Sequence, residues 1–463
     1  MRSGYVKALS ILAAAVGALR RLPLEGAIRV AIPLTVVTVA LGSNWSPSVR
    51  SVAQPLWRVS LVALCGLAVA WAFARGSPRL AWTPAYVAAA AFALVAAASA
   101  LWSVDPRLTV QRTASFALVL AVAAALGVGS ARDPRAAERL ILSVLAGAVA
   151  VALAGLAVLA VAPHDALQEA TRTIASRYRG IGQNPNTVAM LFAATLPLAT
   201  WLTVTRGGRT RLLGALTLLL LGGSIAASDS RGALIAGALG VLAVLVATTN
   251  GTRARVLAAA AVAAAVVAAV GLAQIPQPDP NATGPAPTAC VRCKQNQHDA
   301  DRWIRLEDEL DAPAGASGSG ERRTLFASTG RTQAWEGAFD QGDERPLVGF
   351  GFGTEDHVFV DRFYSFFGGT PENSYVGMFL QLGVVGVLLL LALAAALARG
   401  VLAALRLDGH ERRLAAACAA VLLTGLGLGV VQSSLYAVGN TSTLSIWTCA
   451  FLGLALAPRP ARE

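Results

Sequence analysis

The sequence predicts an all-α polytopic membrane protein with about 12 transmembrane helices. Of its 463 residues, 55% are apolar and only 14% charged. The apolar residues fall in Ala/Leu/Val runs of about 20, the length that crosses a hydrocarbon core of about 30 Å. Lipid offers no partner for a backbone N–H or C=O, so each run must be a helix. The same composition excludes disordered, collagen-like and disulfide-scaffold classes.

Taken in order, the spans lie near 28–43, 59–74, 84–102, 108–128, 138–162, 186–205, 210–227, 231–249, 254–274, 374–398, 411–431 and 434–457. Residues 5–19 are also apolar, but Lys7 interrupts them and they are too short to span comfortably. They read as an interfacial segment or as part of a longer first helix. A cleavable signal peptide fits less well, because no small-residue cleavage site follows before Arg20-Arg21.

Basic residues orient the chain. With the N-terminus in the cytoplasm, 21 of the 38 Lys and Arg fall inside, 8 in short outside loops and 9 in one long outside loop. The long loop does not count towards the positive-inside rule, and the remainder has the expected sense. The formal net charge of +12 therefore needs no nucleic acid to explain it.

The long loop divides the chain into a membrane domain over 1–274, an extracytoplasmic cap loop over 275–371 and a second membrane stretch over 372–463. Long loops without secondary structure are usually functional. Within it, Asp299–Asp311 suits an amphipathic helix with Trp303, Leu306 and Leu310 on one face. Cys290 and Cys293 are placed to pair with each other on an oxidising face. A zinc site would need four ligands, and only His298 is near. Cys65, Cys418 and Cys449 sit in spans and read as small packing residues.

Chemistry is expected where polar residues border the apolar spans, and the topology puts four such clusters on the outer face. The first is Ser176-Arg-Tyr-Arg-Gly-Ile-Gly-Gln-Asn-Pro-Asn186. Asn184 suits a helix cap with Pro185 in the first turn. A free helix N-terminus behind Arg177 and Arg179 suits an anionic group. Both arginines also read as interfacial residues beside a capped helix. The second is Ser228-Asp-Ser-Arg-Gly232, where Arg231 begins a span against the positive-inside trend. An ionisable residue at such depth needs a partner; Asp229 and a ligand phosphate both qualify.

The third cluster runs from Thr329-Gly-Arg-Thr-Gln-Ala-Trp-Glu336 into Pro346-Leu-Val-Gly-Phe-Gly-Phe-Gly353. A nucleotide-binding reading of these glycines needs a strand–turn–helix context; close-packed turn backbone fits the extracytoplasmic setting better. The fourth is Pro371-Glu-Asn-Ser-Tyr375, which re-enters the membrane. Glu372 stands at the expected cap position of the tenth span. It reads as a carboxylate favoured by the helix dipole, or as an acceptor of a proton from a hydroxyl nucleophile. Several outward arginines with one carboxylate suit a membrane-delivered diphosphate, since the guanidinium fork matches phosphate oxygens.

The sequence resembles the O-antigen ligase/polymerase family of bacterial membrane glycosyltransferases from about residue 100 to 390. The residues that carry the resemblance are Leu101-Trp-Ser-Val-Asp-Pro-Arg107, Arg179-Gly-Ile-Gly-Gln-Asn-Pro-Asn186, Ser230-Arg-Gly232, Gly330-Arg331 with Trp335, Gly349-Phe-Gly-Phe-Gly353, Asn373-Ser-Tyr375 and Gly383-Val-Val-Gly386. Each motif is short; their order, with the large loop before the Asn-Ser-Tyr span, makes the match.

The resemblance implies a GT-C-like helical fold in the bacterial cytoplasmic membrane, with the active site facing the periplasm or cell exterior. It implies transfer of a glycan from undecaprenyl diphosphate to lipid A core, another glycan repeat or another envelope acceptor. The reaction would be inverting, with no metal and no cofactor. Partners would be that donor, a glycan or glycolipid acceptor and membrane lipids, with no nucleic acid. The expected catalytic residues are Glu372, Arg231 and Arg179, and the expected substrate-binding residues are Arg177, Asn184, Asn186, Arg331, Asn373 and Tyr375. The family usually has a histidine where Glu372 stands; His357 and His298 are the other histidines of the cap.

Two other functions fit a chain of this class. A transporter or flippase also has about twelve spans, but it expects similar halves and polar residues near mid-membrane. Here the polar residues crowd one face. A peptidoglycan polymerase of the shape/division type matches less well in motif order and loop placement.

Overall fold

The computed structural model describes residues 23–75, 83–131, 133–168, 176–249, 251–273, 331–359 and 370–458. The apolar stretch 5–19, the helix expected over 299–311, the Cys290–Cys293 pair and His298 lie outside these. Each of the twelve expected spans falls on a helix. They are α1 (Leu24–Gly42), α2 (Pro47–Ala74), α3 (Pro84–Ala98, extended by a 3-10 turn to Leu101), α4 (Pro106–Ser130), α5 (Pro134–Val161), α7 (Pro185–Thr205), α8 (Gly208–Ala227), α9 (Arg231–Thr248), α10 (Thr252–Ala273), α13 (Ser374–Ala404), α14 (Gly409–Val431) and α15 (Thr441–Ala455). Short elements join them: α6 (Pro163–Ala166), a two-residue hairpin of β1 (Leu167–Gln168) and β2 (Arg177–Tyr178), α11 (Arg331–Gly342) and α12 (Glu355–Val358). Among the described residues, ten helices are long and apolar enough to cross a membrane. The chain is an all-α polytopic membrane protein.

The helix starts are written in the sequence. Pro47, Pro84, Pro106, Pro134 and Pro185 each occupy the first turn, where a missing N–H costs nothing. Asp105 and Asp133 accept from Leu108 N and Ala136 N, both at 3.0 Å, satisfying donors that a helix leaves free.

Two helix starts differ most from the hydropathy reading. Residue 59 is not the start of the second span: α2 begins at Pro47. Arg50 and Arg58 lower hydropathy without breaking a helix, and the extra turns belong to a helix that packs on α1 and α4. The last span also begins later, at Thr441 rather than 434, because Asn440 caps it by accepting from Ser442 N at 3.1 Å. Residues 432–440 are non-helical. Such backbone is tolerated at this depth only when protein covers it, and Ser434, Leu435 and Tyr436 are buried.

The core is built round α7 and α15, whose residues are buried on nearly every face. A helix apolar all round belongs inside. This explains why α15, at about 22 Å by its 15 residues, is shorter than the bilayer core. Helices α4, α5, α8, α9, α13 and α14 pack round this pair, with α1, α2 and α3 further out.

Successive spans alternate in direction, so the connections fall at two ends. At one end, Arg75 pairs with Glu25 (3.0 Å) and Asp133 (3.1 Å), and Arg139 pairs with Glu25. Nearby Glu138 accepts from Arg206 and bonds His410 Nε2 at 2.8 Å. These are among the arginines assigned to the inside. All four polar clusters lie at the other end.

Candidate active site

The hairpin after α5 builds the first part of the site. Leu167 pairs with Tyr178 and Gln168 with Arg177 in antiparallel register, and Arg177 and Arg179 on this ribbon meet different partners. Arg177 is buried. Its Nε donates to Ser228 O at 2.8 Å, and its Nη2 donates to Asn186 Oδ1 at 2.9 Å and Asp229 O at 3.2 Å. One guanidinium thus ties the start of α7 to the turn that opens α9. Tyr178 fills the space above Gly155 and Gly180, and burial pushes its hydroxyl up to about 12.

Arg179 lies over the Trp45 ring at 4.2 Å from the centroid, with Nε and Nη2 each donating at 3.0 Å to the carbonyls of Asp165 and His164. Asn44, next to that tryptophan, donates to Ile181 O at 2.8 Å. Asn184 caps α7, accepting from Thr187 N at 3.0 Å. Arg231 is half-buried as the first residue of α9, on the turn whose carbonyls Arg177 holds. Asp229 in that turn takes a positive φ of 46°.

The start of α13 builds the second part. Glu372 is not the cap: Asn373 is, accepting from Tyr375 N (2.9 Å) and Val376 N (3.1 Å). Asn reaches its own helix's second and third N–H groups with a short side chain, so Glu372 is freed to face Arg331. Arg331 Nη2 and Nε donate to Glu372 Oε2 at 2.7 and 3.2 Å, in a pair about three-quarters buried. Glu372 carries a positive φ of 47°, unusual for a residue with a side chain. Trp335 Nε1 donates to Pro371 O at 2.9 Å, fastening α11 to the same turn. Tyr375 turns inward, its hydroxyl donating to Leu426 O of α14 at 2.9 Å.

Between these parts runs a line of direct contacts. Gly232 packs against Val431 at the end of α14, and a Cβ on Gly232 would lie 2.6 Å from that side chain. Next along the chain, Gln432 O accepts from Ser374 Oγ at 2.8 Å. The α15 start closes the group, with Thr441 Oγ1 donating to Thr187 O at 3.0 Å. Arg177, Asn186, the 228–231 turn, Ser374 and the Arg331–Glu372 pair thus share one end, with Arg179 on the hairpin beside Trp45. Helices α7, α9, α13 and α15 all begin there, so four positive dipole ends add to the arginines. The arrangement suits an anionic group.

The glycine string proves to be turn backbone of an unusual kind. At Gly383 the chain has φ 61° and ψ −157°, which breaks α13. The helix bonds from Val384 N to Leu380 O and from Val385 N to Gln381 O are replaced. Val384 N now donates to Pro346 O (2.8 Å) and Val385 N to Leu347 O (3.3 Å), while Leu380 O and Gln381 O accept from Phe350 N (3.0 Å) and Gly351 N (2.8 Å). The loop is spliced into the broken helix, so the four groups freed by the break keep partners. The Trp102–Asp105 segment docks on the other side of this loop. Trp102 Nε1 donates to Val348 O at 3.1 Å, Val104 N to Phe350 O at 3.0 Å, and Phe352 N to Ser99 Oγ at 2.9 Å.

Beneath the loop lies a residue that sequence reading missed. Glu355 is 4% exposed. Its Oε2 accepts from Tyr436 Oη (2.6 Å) and Gln381 Nε2 (2.9 Å), and its Oε1 from Ser433 Oγ (2.7 Å). Burial pushes its carboxyl up to about 7, against the hydrogen bonds from Tyr436 and Ser433. The sequence signal was slight: one acid among many in the cap, set apart only by standing two residues after the glycine string. Asp356, its neighbour, is held bidentately by Arg112 at 2.7 and 2.8 Å. His357 Nδ1 stands 3.7 Å from Asp105 Oδ2. Among the described residues, no three His, Cys, Asp or Glu side chains are grouped to hold a metal ion.

A family model described as O-Antigen ligase matches residues 216–391, which include Arg231, the spliced loop, the Arg331–Glu372 pair and the α13 kink. No curated protein matches the chain.

Proposed function

Because residues 216–391 belong to the O-antigen ligase family, we propose that this chain transfers a glycan from undecaprenyl diphosphate to a hydroxyl of an envelope acceptor. Lipid A core, another glycan repeat and other envelope polymers are the candidate acceptors. The reaction takes place at the outer face of the bacterial cytoplasmic membrane, where the positive-inside count puts the end bearing the site. Ligase-like glycosyl transfer is the activity of the family; donor, acceptor and side are the finer reading.

The observation that carries it is the line of contacts at one end of the bundle. It joins Arg177, Asn186 and the turn before Arg231, through Gly232, Val431, Gln432 and Ser374, to Glu372 and Arg331. Arg231 and Arg179, with the helix N-termini, stabilise negative charge as it develops on the departing diphosphate, without a metal. Arg177 sets the turn that presents Arg231. Glu372, aimed by Arg331, holds the acceptor so that its hydroxyl lies behind the anomeric carbon. Attack from the face opposite the diphosphate inverts that carbon. Asn184 and Asn373 hold the starts of α7 and α13 in place, and Tyr375 fixes α13 against α14.

The test is transfer of an undecaprenyl-diphosphate-linked oligosaccharide to lipid A core by the purified chain and its Arg231→Ala and Glu372→Gln variants. Losses of about 100-fold or more are expected for each. Wild-type-like transfer by both variants would remove the proposed site.

A further inference from the structure

Glu355 is a costly way to hold a loop. All three of its hydrogen bonds come from neutral groups, on Tyr436, Gln381 and Ser433. A glutamine could satisfy the same partners, its carbonyl accepting from Tyr436 and Gln381 while its amide donates to the Ser433 hydroxyl. A purely structural hub would avoid the desolvation of a buried charge that a carboxylate carries. The charged and titratable groups packed around it are few. Asp356 and Arg112 bond each other, and Tyr436 is the phenol already on Oε2. The helix leaves room for the pair at one point: a Cβ on Gly377 would lie 2.6 Å from Glu355 Oε1 and closer still to Tyr436 Oη.

Of the three partners, Ser433 alone reaches outward. Glu355, Gln381 and Tyr436 are buried, whereas Ser433 is half-buried. It follows Gln432, whose carbonyl anchors Ser374, and Leu435 N donates back to Ser374 Oγ at 3.2 Å. Ser374 is two residues from Glu372. A hydroxyl can accept one proton while donating another. Meanwhile Oε2 of Glu372 already accepts two bonds from Arg331.

We infer that Ser433 and Glu355 form the proton exit of the transfer reaction, with Ser433 as the group that meets the acceptor hydroxyl and Glu355 as the residue acting through it. The inference rests on the transferase reading above. As the acceptor oxygen forms its bond to the anomeric carbon, the bond from that carbon to the diphosphate oxygen breaks and its electron pair leaves with the diphosphate. The acceptor proton passes to Ser433 Oγ, and the proton of Ser433 passes to Glu355 Oε1. Glu355 later releases that proton to water by the same route, with Ser433 restored.

The test is the pH profile of kcat for the full chain in proteoliposomes, with an undecaprenyl-diphosphate-linked oligosaccharide as donor and lipid A core as acceptor. Wild-type kcat should rise with pH towards a plateau as one group loses a proton near pH 7. Glu355→Gln and Ser433→Ala should each lower kcat by about 100-fold, leave KM within about twofold and flatten that rise. Glu355→Asp should restore the rise at a lower plateau. If Glu355→Gln fails to fold, Ser433→Ala, at a half-buried position, carries the same test. Variants that lose rate but keep the wild-type profile would overturn the inference, since a structural hub predicts that outcome. A profile flattened by Glu372→Gln and untouched by Glu355→Gln would overturn it too, leaving Glu372 as the base. Wild-type protein with no transfer at any pH would instead sink the transferase reading itself.

Discussion

Replacing Gly383 by alanine attacks the splice that joins the glycine loop to α13. The residue sits at φ 61° and ψ −157°, a region essentially confined to glycine, where another residue costs about 1–3 kcal/mol. A Cβ there would also lie 2.5 Å from the carbonyl oxygens of both Pro346 and Leu347, so the loop backbone would have to move. The variant has one escape. If the loop leaves, α13 can straighten and regain the bonds from Val384 N to Leu380 O and from Val385 N to Gln381 O. Four bonds between loop and helix are then lost and two helix bonds recovered, a net of about 2 kcal/mol. The buried ring of Phe352 is freed as well, worth about 2 kcal/mol more. By either route the cost is about 3–4 kcal/mol. Hydrogen exchange read by mass spectrometry in detergent is the direct assay. Amides of Phe350, Gly351 and Phe352 should be protected in the wild type and exchange much faster in Gly383→Ala, together with a lower melting temperature. Gly222→Ala is the control, because a Cβ at that helical glycine meets nothing within 4 Å. Unchanged protection and an unchanged melting temperature in Gly383→Ala would show that the splice does not hold the loop.

Two further outcomes follow from single residues. Arg177→Ala should destabilise the protein by about 2–4 kcal/mol, since it strips the buried Ser228 carbonyl of this donor and removes a bond to that of Asp229; Arg177→Lys should not rescue it, because an ammonium cannot span the fork, and a lysine variant that melts like wild type would refute this. Glu355 has a folded value of about 7 against an ordinary 4.5, so its stabilising contribution is full below about pH 4.5 and is lost as pH rises through about 7. Over that range wild type should lose about 3 kcal/mol relative to Glu355→Gln, read as the difference between their melting curves in buffered detergent; parallel curves would mean that the carboxyl does not titrate there.

Hydropathy and helix-start chemistry made most of the fold legible. Asp105-Pro106, Asp133-Pro134 and Asn184-Pro185 announce their helices because a cap and a proline act within one turn. The same local reasoning failed at 432–440. Those residues are apolar enough to pass for a span, and only their neighbours show why they are not helical. The site was legible as a set of clusters but not as a set of pairs. The motifs by themselves point Arg331 and Glu372 each at substrate, and in the fold they face each other across 41 residues of chain. Glu372 was read as the cap because it comes first in the motif, but Asn373 reaches the free N–H groups. Glu355 escaped notice because burial is a property of what surrounds a residue, and its partners lie 26, 78 and 81 residues away.

The sequence by itself determined that the chain is a bundle of membrane helices, where most of them start, and that its polar clusters gather at one end. Those properties depend on the exchange of each segment with lipid or water, which local composition governs. The tertiary structure alone decided which charges are paired, which carboxylate is buried, and that a glycine loop completes a broken helix. These are encounters between distant segments, and their energies come from desolvation and hydrogen bonds that exist only once the segments have met.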